Sequence, residues 1–193
     1  MKEKIKSFAT IQMGYSFRSR LETSESGEVA VIQMKDLEEE VVNGDGLVKI
    51  DLDTIKDHHL VQKDDLVFRS RGNLTTSAIL LCDPGKAVVA APLFRIRVTS
   101  PEIVLPEYLN WYIGQREAQM FFGSRTAGSL QKMISKQALE DLDVFLPSLE
   151  QQKDIVELVS LCTREKEILK TIAKKRKDYI STKLMKIAKG ENI

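Results

Sequence analysis

The chain has 193 residues, 42% of them hydrophobic and 30% charged, with a net charge of +1. This composition suits a globular domain of ordinary size with an appendage, and no apolar run approaches the roughly 20 residues that a membrane helix needs. Cys82 and Cys162 stand far apart in no metal-binding spacing, so a disulfide framework is excluded and both thiols are expected to be buried in a reducing compartment.

The charge is unevenly divided. Residues 148–193 hold 11 Lys or Arg against 7 Asp or Glu, a net +4, and residues 1–147 carry the balancing −3. Any role in binding nucleic acid must therefore rest on local clustering rather than on total charge. The opening Met1-Lys2-Glu3-Lys4-Ile5-Lys6 is charged and has no apolar segment behind it. It does not read as a secretory leader, and a cytoplasmic location is expected.

In chain order, residues 1–25 are polar and mixed, with a basic, aromatic, turn-like stretch at Tyr15-Ser16-Phe17-Arg18-Ser19-Arg20. Glu28 to Met34 is a short apolar run and reads as a strand. Asn43-Gly44 and Asp45-Gly46 are turn signals, because such pairs accept positive φ. Further short strands are expected at Leu47–Ile50, Leu66–Ser70, Ala78–Leu81, Ala87–Ala90 and Leu93–Val98, punctuated by Arg71-Gly72-Asn73, Asp83-Pro84-Gly85 and Pro92. Many short strands at close spacing predict a compact mixed β domain.

Pro106 opens a helix expected to run from Glu107 to Phe122, followed by a Gly- and Ser-rich loop from Gly123 to Ser129. A short helix from Ser135 to Asp141, capped by Ser135, precedes a strand at Val144–Leu146. From Ser148 to Lys189 there is no proline or glycine. Ser148 and Gln151 have the spacing of a capping box. Steps of three and four from Ile155 reach Leu158, Cys162, Glu165, Leu169, Ile172, Arg176 and Tyr179, and the stripe then drifts to Ile180, Leu184 and Ile187. That drift is what a nearly straight helix shows against a strict heptad. A lone helix of this length with an apolar seam is expected to need a partner.

Several catalytic signatures are missing. There is no third glycine to complete a dinucleotide-binding loop around Gly44 and Gly46, and Gly85-Lys86 is followed by Ala87 rather than a hydroxyl residue. No Asp/Glu-x-Lys triplet of a metal nuclease and no Pro-Pro pair of an amino-group methyltransferase loop occurs. His58 and His59 are the only histidines and read as a polar surface loop. The Asp residues at 51, 53, 57, 64 and 65 lack the glycine and terminal glutamate of a calcium loop and read as solvated surface. No cofactor and no metal are expected.

Four segments taken together resemble the specificity (S) subunit of type I restriction–modification systems. Leu60–Gly72 is similar to a family segment with Gly-Asp at its centre, here Lys63-Asp64-Asp65. Phe94-Arg95-Ile96-Arg97 and Pro106-Glu107-Tyr108-Leu109 resemble an arginine-bearing strand and the helix after it. Gly128-Ser129-Leu130-Gln131 with Ile134-Ser135, Leu139, Leu142 and Phe145-Leu146-Pro147 forms the third, and Leu149-Glu150-Gln151-Gln152 with Ile155 the fourth.

The resemblance implies an α+β protein. Residues 1–147 would form a compact mixed β/α target recognition domain, and residues 148–193 one long C-terminal spacer helix. Such subunits normally carry two of each, with the helices packed antiparallel, so this chain resembles a half-subunit. Met1 and a tail running to Ile193 read as an intact product. Two copies would rebuild the whole as a homodimer on a bipartite palindromic site. The implied partners are double-stranded DNA, methylation subunits carrying S-adenosylmethionine, the restriction subunit and a second copy, with no membrane. The chain itself would do no chemistry, since the flipped base belongs in the methylation subunit.

Arginine, asparagine and glutamine on loops suit base edges, and lysine suits phosphates. The candidate DNA contacts are Arg18, Arg20 and Lys35; Arg69, Arg71 and Asn73; and Arg125, Ser129, Gln131 and Lys132. Arg95 and Arg97 are expected to be structural, and the acidic runs Glu38–Glu40 and Asp51–Asp57 to face away from DNA. The dimer seam is expected at Ile155, Leu158, Cys162, Leu169 and Ile172, then Tyr179, Ile180, Leu184 and Ile187. Lys174-Lys175-Arg176-Lys177 reads as a solvated face or as a surface along DNA or a partner. The competing class is a regulator that dimerises through its helix without reading DNA.

Overall fold

A computed structural model describes the chain except residues 18–20, 22–23, 25, 39, 53–54, 73–74, 127–132 and 191–193. The chain divides into two compact units, Met1–Lys153 and Asp154–Ile193.

The first unit is built on eleven short strands among the described residues. Strands β1 (Lys2–Lys4) and β2 (Ala9–Met13) are followed by β3 (Val29–Ile32), β4 (Leu37–Glu38), β5 (Val41–Val42) and β6 (Val48–Ile50). Then come β7 (Leu66–Phe68), β8 (Ser77–Ile79), β9 (Ala87–Val89), β10 (Phe94–Val98) and β11 (Asp143–Phe145). A six-stranded sheet has the order β2-β10-β7-β8-β5-β4, a three-stranded sheet the order β6-β3-β9, and β1 pairs with β11. Most pairings are antiparallel; β3–β9 and β5–β8 are parallel.

The apolar run Val29-Ala30-Val31-Ile32 is buried at every position. It is the middle strand of its sheet and has core on both faces, which is why it does not alternate. Ala30 and Ile32 pack with Val67, Ala78, Leu80 and Val89 of one core. Val29 and Val31 pack with Val88, Ala90, Ile50 and the half-buried Tyr15 and Phe17 of a second. Gly14 lets the chain pass close to this sheet, since a Cβ there would lie 2.7 Å from the Ala90 carbonyl carbon.

The arginine-bearing strand β10 lies inside the large sheet, between β2 and β7. Arg95 and Arg97 share one face, and both donate to the Leu60 carbonyl, at 2.9 and 3.0 Å. Arg97 also forks onto Asp65, with contacts of 2.7 and 2.6 Å. Asp65 is 1% exposed and accepts the Gln62 amide at 2.9 Å. The expected structural role of both arginines therefore holds. Asp64, at the position where the resembled segment carries glycine, has φ of 69°. This is the left-handed region that glycine enters freely and Asp tolerates better than most residues.

Two helical expectations are corrected. The stretch after Pro106 is two helices, α1 (Pro106–Ile113) and α2 (Arg116–Thr126), broken at Gly114-Gln115. The expected loop from Gly123 begins as helix, because α2 runs to Thr126. Gln119 stitches the break by donating to the Ile113 carbonyl at 2.7 Å and to the Thr75 carbonyl at 2.9 Å. Helix α3 (Lys136–Glu140) is capped by Ser135, whose Oγ accepts from Ala138 N at 3.1 Å. Strands β1, β2, β4 and β5 were not foreseen.

Helix α4 (Leu149–Ala188) is 40 residues long. Ser148 and Gln151 form the expected capping box, with Oγ and Oε1 each accepting the other's backbone N–H at 3.2 Å. The first turn is fastened to the first unit by Gln152, which is fully buried. Its amide accepts from Leu105 N at 2.9 Å and donates to the Ile103 and Pro147 carbonyls at 2.9 and 3.0 Å. The second unit, taken by itself, is the rest of this helix. Both cysteines are exposed rather than buried, because Cys82 lies in the turn after β8 and Cys162 on the outside of α4.

Candidate nucleic-acid interface

The end of β7 brings two of the candidate arginines toward one place. Ser70 accepts the Ile134 N–H on its carbonyl at 2.8 Å, and Arg71 and Met133 form an antiparallel bridge. This bridge ties the loop after β7 to the segment leading into α3. Arg71 is exposed, and its Nε donates to Met133 Sδ at 3.1 Å. Arg125, in the last turn of α2, is exposed, with its guanidinium 5.0 Å from the centre of the Phe121 ring. Arg125 and Met133 line one hollow of about 320 Å³, together with Ile134, Ser135, Gln137 and Asp141. Met133 thus touches Arg71 and lines the same hollow as Arg125, although the two arginines are 54 positions apart in the sequence.

Asp141 is the one acid in that hollow. Hydrogen bonds from Lys4 and Lys6, each 3.2 Å long, hold its carboxyl below the usual carboxylate range. Its negative charge is therefore already met by two ammonium groups and does not set the sign of the site.

Lys35 stands on a 3-10 turn, Met34–Asp36, closed by a capping box between Gln33 and Asp36. It is exposed and lines a second hollow of about 590 Å³ with Ser16, Phe17, Gln33 and Pro92. Ser70 donates its hydroxyl to the Pro92 carbonyl, so the same segment that carries Arg71 also holds the floor of this hollow. Gln33 Nε2 is buried there without an acceptor among the described residues, and nothing in the sequence singled out Gln33.

Arg69 is turned the other way. It is half-buried and donates to the Leu37 carbonyl, fastening β7 to β4. Arg18, Arg20, Asn73, Ser129, Gln131 and Lys132 lie outside the described residues. Glu38 and the turn acids Asp45 and Asp83 line a different hollow, of about 870 Å³. His58 and His59 stack on one another at 4.3 Å, and His59 meets the Tyr15 ring at 5.3 Å. Burial, then His58, Arg95 and Lys56, pull the His59 pKa down. Among the described residues, no group of three or more His, Cys, Asp or Glu could hold a metal ion.

On α4, Leu158, Leu169, Ile172, Tyr179, Ile180, Leu184 and Ile187 are each about half exposed or more, Cys162 is exposed, and Ile155 is half-buried. No helix of the described residues is long and apolar enough to cross a membrane.

Residues 1–175 match the family model described as the type I restriction modification DNA specificity domain. The chain belongs to this family. Among curated proteins no match is found. Solved structures of the family share its fold at low identity. The HsdS subunit from Thermoanaerobacter tengcongensis superposes with a TM-score of 0.63 at 17% identity, covering 88% of this chain and 38% of that one. The S subunit of a type I system from M. genitalium gives 0.59 at 13%, covering 89% and 41%. A chain from a structure titled for complex assembly and conformational transition of the type I R-M system gives 0.71 at 15%, covering 94% and 43%. This specificity-domain chain therefore spans about two fifths of the length of those relatives. It has the family's mixed α+β fold with a long C-terminal helix.

Proposed function

We propose that this chain is a half-length specificity subunit: a non-catalytic reader of one half of a DNA site. The observation that carries the reading is that Met133 accepts from the exposed Arg71 and lines one hollow with the exposed Arg125, inside a chain whose family is defined by DNA specificity. Residues 1–147 act as the recognition domain and residues 148–193 as spacer and dimerisation helix. Arg71, Arg125 and Lys35 contact DNA from the described surface. Arg18, Arg20, Asn73, Ser129, Gln131 and Lys132 complete the contact set on the adjoining segments, and Arg69 supports it from within.

The chain works as a homodimer through the apolar face of α4, with the two helices antiparallel. The DNA site is then bipartite and palindromic. A helix of 40 residues spans about 60 Å, which holds two readers more than one DNA turn of roughly 34 Å apart. The dimer docks methylation subunits, which supply the methyl donor and the pocket for the flipped base, and through them the restriction subunit. The site of action is the cytoplasm.

Selection from random duplex DNA by the chain with its methylation subunit tests this. Two inverted half-sites separated by an unread gap are expected. Arg71→Ala or Arg125→Ala costs about 1–3 kcal/mol and relaxes one position if the side chain reads a base. It lowers the salt slope by about 1 if it meets a phosphate. A continuous asymmetric site overturns the palindrome, and a dimer that binds no DNA even with the partner present leaves only a helix-mediated regulator.

A further inference from the structure

We infer that the two α4 helices pair in one antiparallel register, set by Glu165 and Arg176, with the two-fold axis between Lys170 and Thr171. The inference rests on the homodimer proposed above and names which residues of the second copy each seam residue meets.

The charge of the helix argues the orientation. From Asp154 to Lys170 the acids are Asp154, Glu157, Glu165 and Glu167, against Arg164, Lys166 and Lys170. From Thr171 to Ala188 the bases are Lys174, Lys175, Arg176, Lys177, Lys183 and Lys186, against Asp178 alone. Parallel copies would set the two cationic halves side by side. Antiparallel copies set each cationic half against the partner's acid-bearing half.

The seam argues the register. Alternating steps of three and four from Ile155 place Leu158, Cys162, Glu165, Leu169, Ile172, Arg176 and Tyr179 on one face. Along this run the only charged members are Glu165 and Arg176, and both are exposed in the single chain. Facing helices meet in layers, one position of the alternating pattern against the other. With the axis between Lys170 and Thr171, Leu169 faces the partner's Ile172, Glu165 faces the partner's Arg176, and Cys162 faces the partner's Tyr179. Two-fold symmetry makes each contact twice.

Sliding one heptad in one direction sets Glu165 against the partner's Leu169 and Arg176 against the partner's Leu158. Sliding the other way gives Glu165 the partner's Lys183 but leaves Arg176 against the partner's Ile172. Either slip sets Arg176 against an aliphatic side chain in the middle of the seam, which is unfavourable, whereas the lysines that meet Leu158 and Ile155 in the inferred register, Lys183 and Lys186, stand near the helix end and can carry their ammonium groups out to water. In the inferred register the overlap also runs to Asp154 opposite the partner's Ile187, so it uses α4 to its end at Ala188. Lys183 then meets the partner's Leu158 with the partner's Asp154 and Glu157 beside it. Glu165 and Arg176 thus select one alignment, the way a polar seam position fixes register in other helix pairs.

Cys162 supplies the test. Its two copies lie about 25 Å apart along the axis in this register, so the native thiols do not join. In a chain carrying Cys82→Ser, the change Tyr179→Cys is expected to give a dimer joined between Cys162 and the partner's position 179 under a short thiol cross-linker, as mapped by peptide mass. A link from Cys162 to position 172 after Ile172→Cys, or to position 186 after Lys186→Cys, with none after Tyr179→Cys, overturns the register and leaves the homodimer standing. A link between the two copies of Cys162 overturns the register, and a link between the two copies of position 172 as well, in the Ile172→Cys chain, overturns the antiparallel orientation, because only parallel helices allow both. A monomeric solution mass at every concentration removes the homodimer and the register with it.

Charge exchange gives an independent readout. Glu165→Arg or Arg176→Glu alone is expected to weaken dimerisation at least tenfold, and both together in one chain to restore it to within about threefold. Failure of the double change to restore it overturns the pairing.

Discussion

Asp65 joins strand β10 to the turn before β7 in the first unit through one carboxylate. It receives the forked guanidinium of Arg97 from β10, the second strand of the large sheet, and the Gln62 amide from its own turn, and it is almost wholly removed from solvent. Asp65→Ala leaves a half-buried guanidinium beside the buried Arg95 with no carboxylate to meet it. The expected cost is about 3 kcal/mol, the lower end for a broken buried pair because Arg97 retains some water. The urea midpoint of the purified chain measures it, and Asp65→Asn, which keeps shape and part of the hydrogen bonding, is expected to fall between. His59 acts on stability through pH. Its folded pKa is depressed below the ordinary 6.5, so the unfolded chain binds the proton more readily. Its contribution is complete above about pH 6.5 and is lost as pH falls through and below that value. His59→Gln is expected to flatten the stability-against-pH curve between about pH 7 and pH 5, read as the shift in urea midpoint. An unchanged slope would show that the ring does not titrate in its present contact with Tyr15 and His58.

The capped start of α4 and the core strands were legible because they follow local rules. Ser148 and Gln151 have a capping box's spacing, and Val29–Ile32 is a continuous apolar run. Strand β1 was not legible, because Lys2-Glu3-Lys4 is a charged strand whose only strand partner is β11 at the other end of the domain. The break between α1 and α2 depends on Gln119 reaching the Ile113 and Thr75 carbonyls, a tertiary contact with no signature in spacing. The candidate site was half legible for the same reason. Arg71 and Arg125 could be chosen by residue type and loop context, but only the bridge to Met133 brings them together, and Arg69 looks identical in sequence while its side chain turns inward. Gln152 shows what such contacts are worth at the scale of an element. From the first turn of α4 it satisfies three backbone groups, the Leu105 N–H and the Ile103 and Pro147 carbonyls, and Gln152→Ala strands them. A loss of about 3 kcal/mol is expected, at roughly 1 kcal/mol for each bond lost, and Gln152→Glu should cost a similar amount by setting a carboxylate against the Ile103 and Pro147 carbonyls. Amide exchange at Leu105, slow in the parent chain and fast in Gln152→Ala, measures the effect locally, while Gln152→Glu, whose carboxylate still accepts that N–H, is read from the urea midpoint.

At the scale of the whole molecule, the proposed seam of α4 and the proposed reading of DNA are coupled through linkage. In the proposed homodimer each copy binds its half-site with modest affinity, and the second half-site adds to it only while the two copies are joined, through effective concentration. Ile172→Glu places a carboxylate in the central layer of the proposed seam, where it meets the partner's Leu169 and sits close to its own symmetry mate. The chain is expected to sediment at half the parent mass at micromolar concentration. The folded recognition domain should be untouched, because Ile172 lies in the second unit. Binding to a two-half-site duplex should then fall by a factor of about 10² or more, down to the affinity for a single half-site, while the affinity for the single half-site stays that of the parent. Equal losses on both duplexes would mean that α4 contributes DNA contacts of its own, through Lys174 to Lys177. A salt titration of the single half-site complex separates the two, because phosphate contacts on the helix would steepen the parent's slope relative to that of a chain in which these four residues are neutralised.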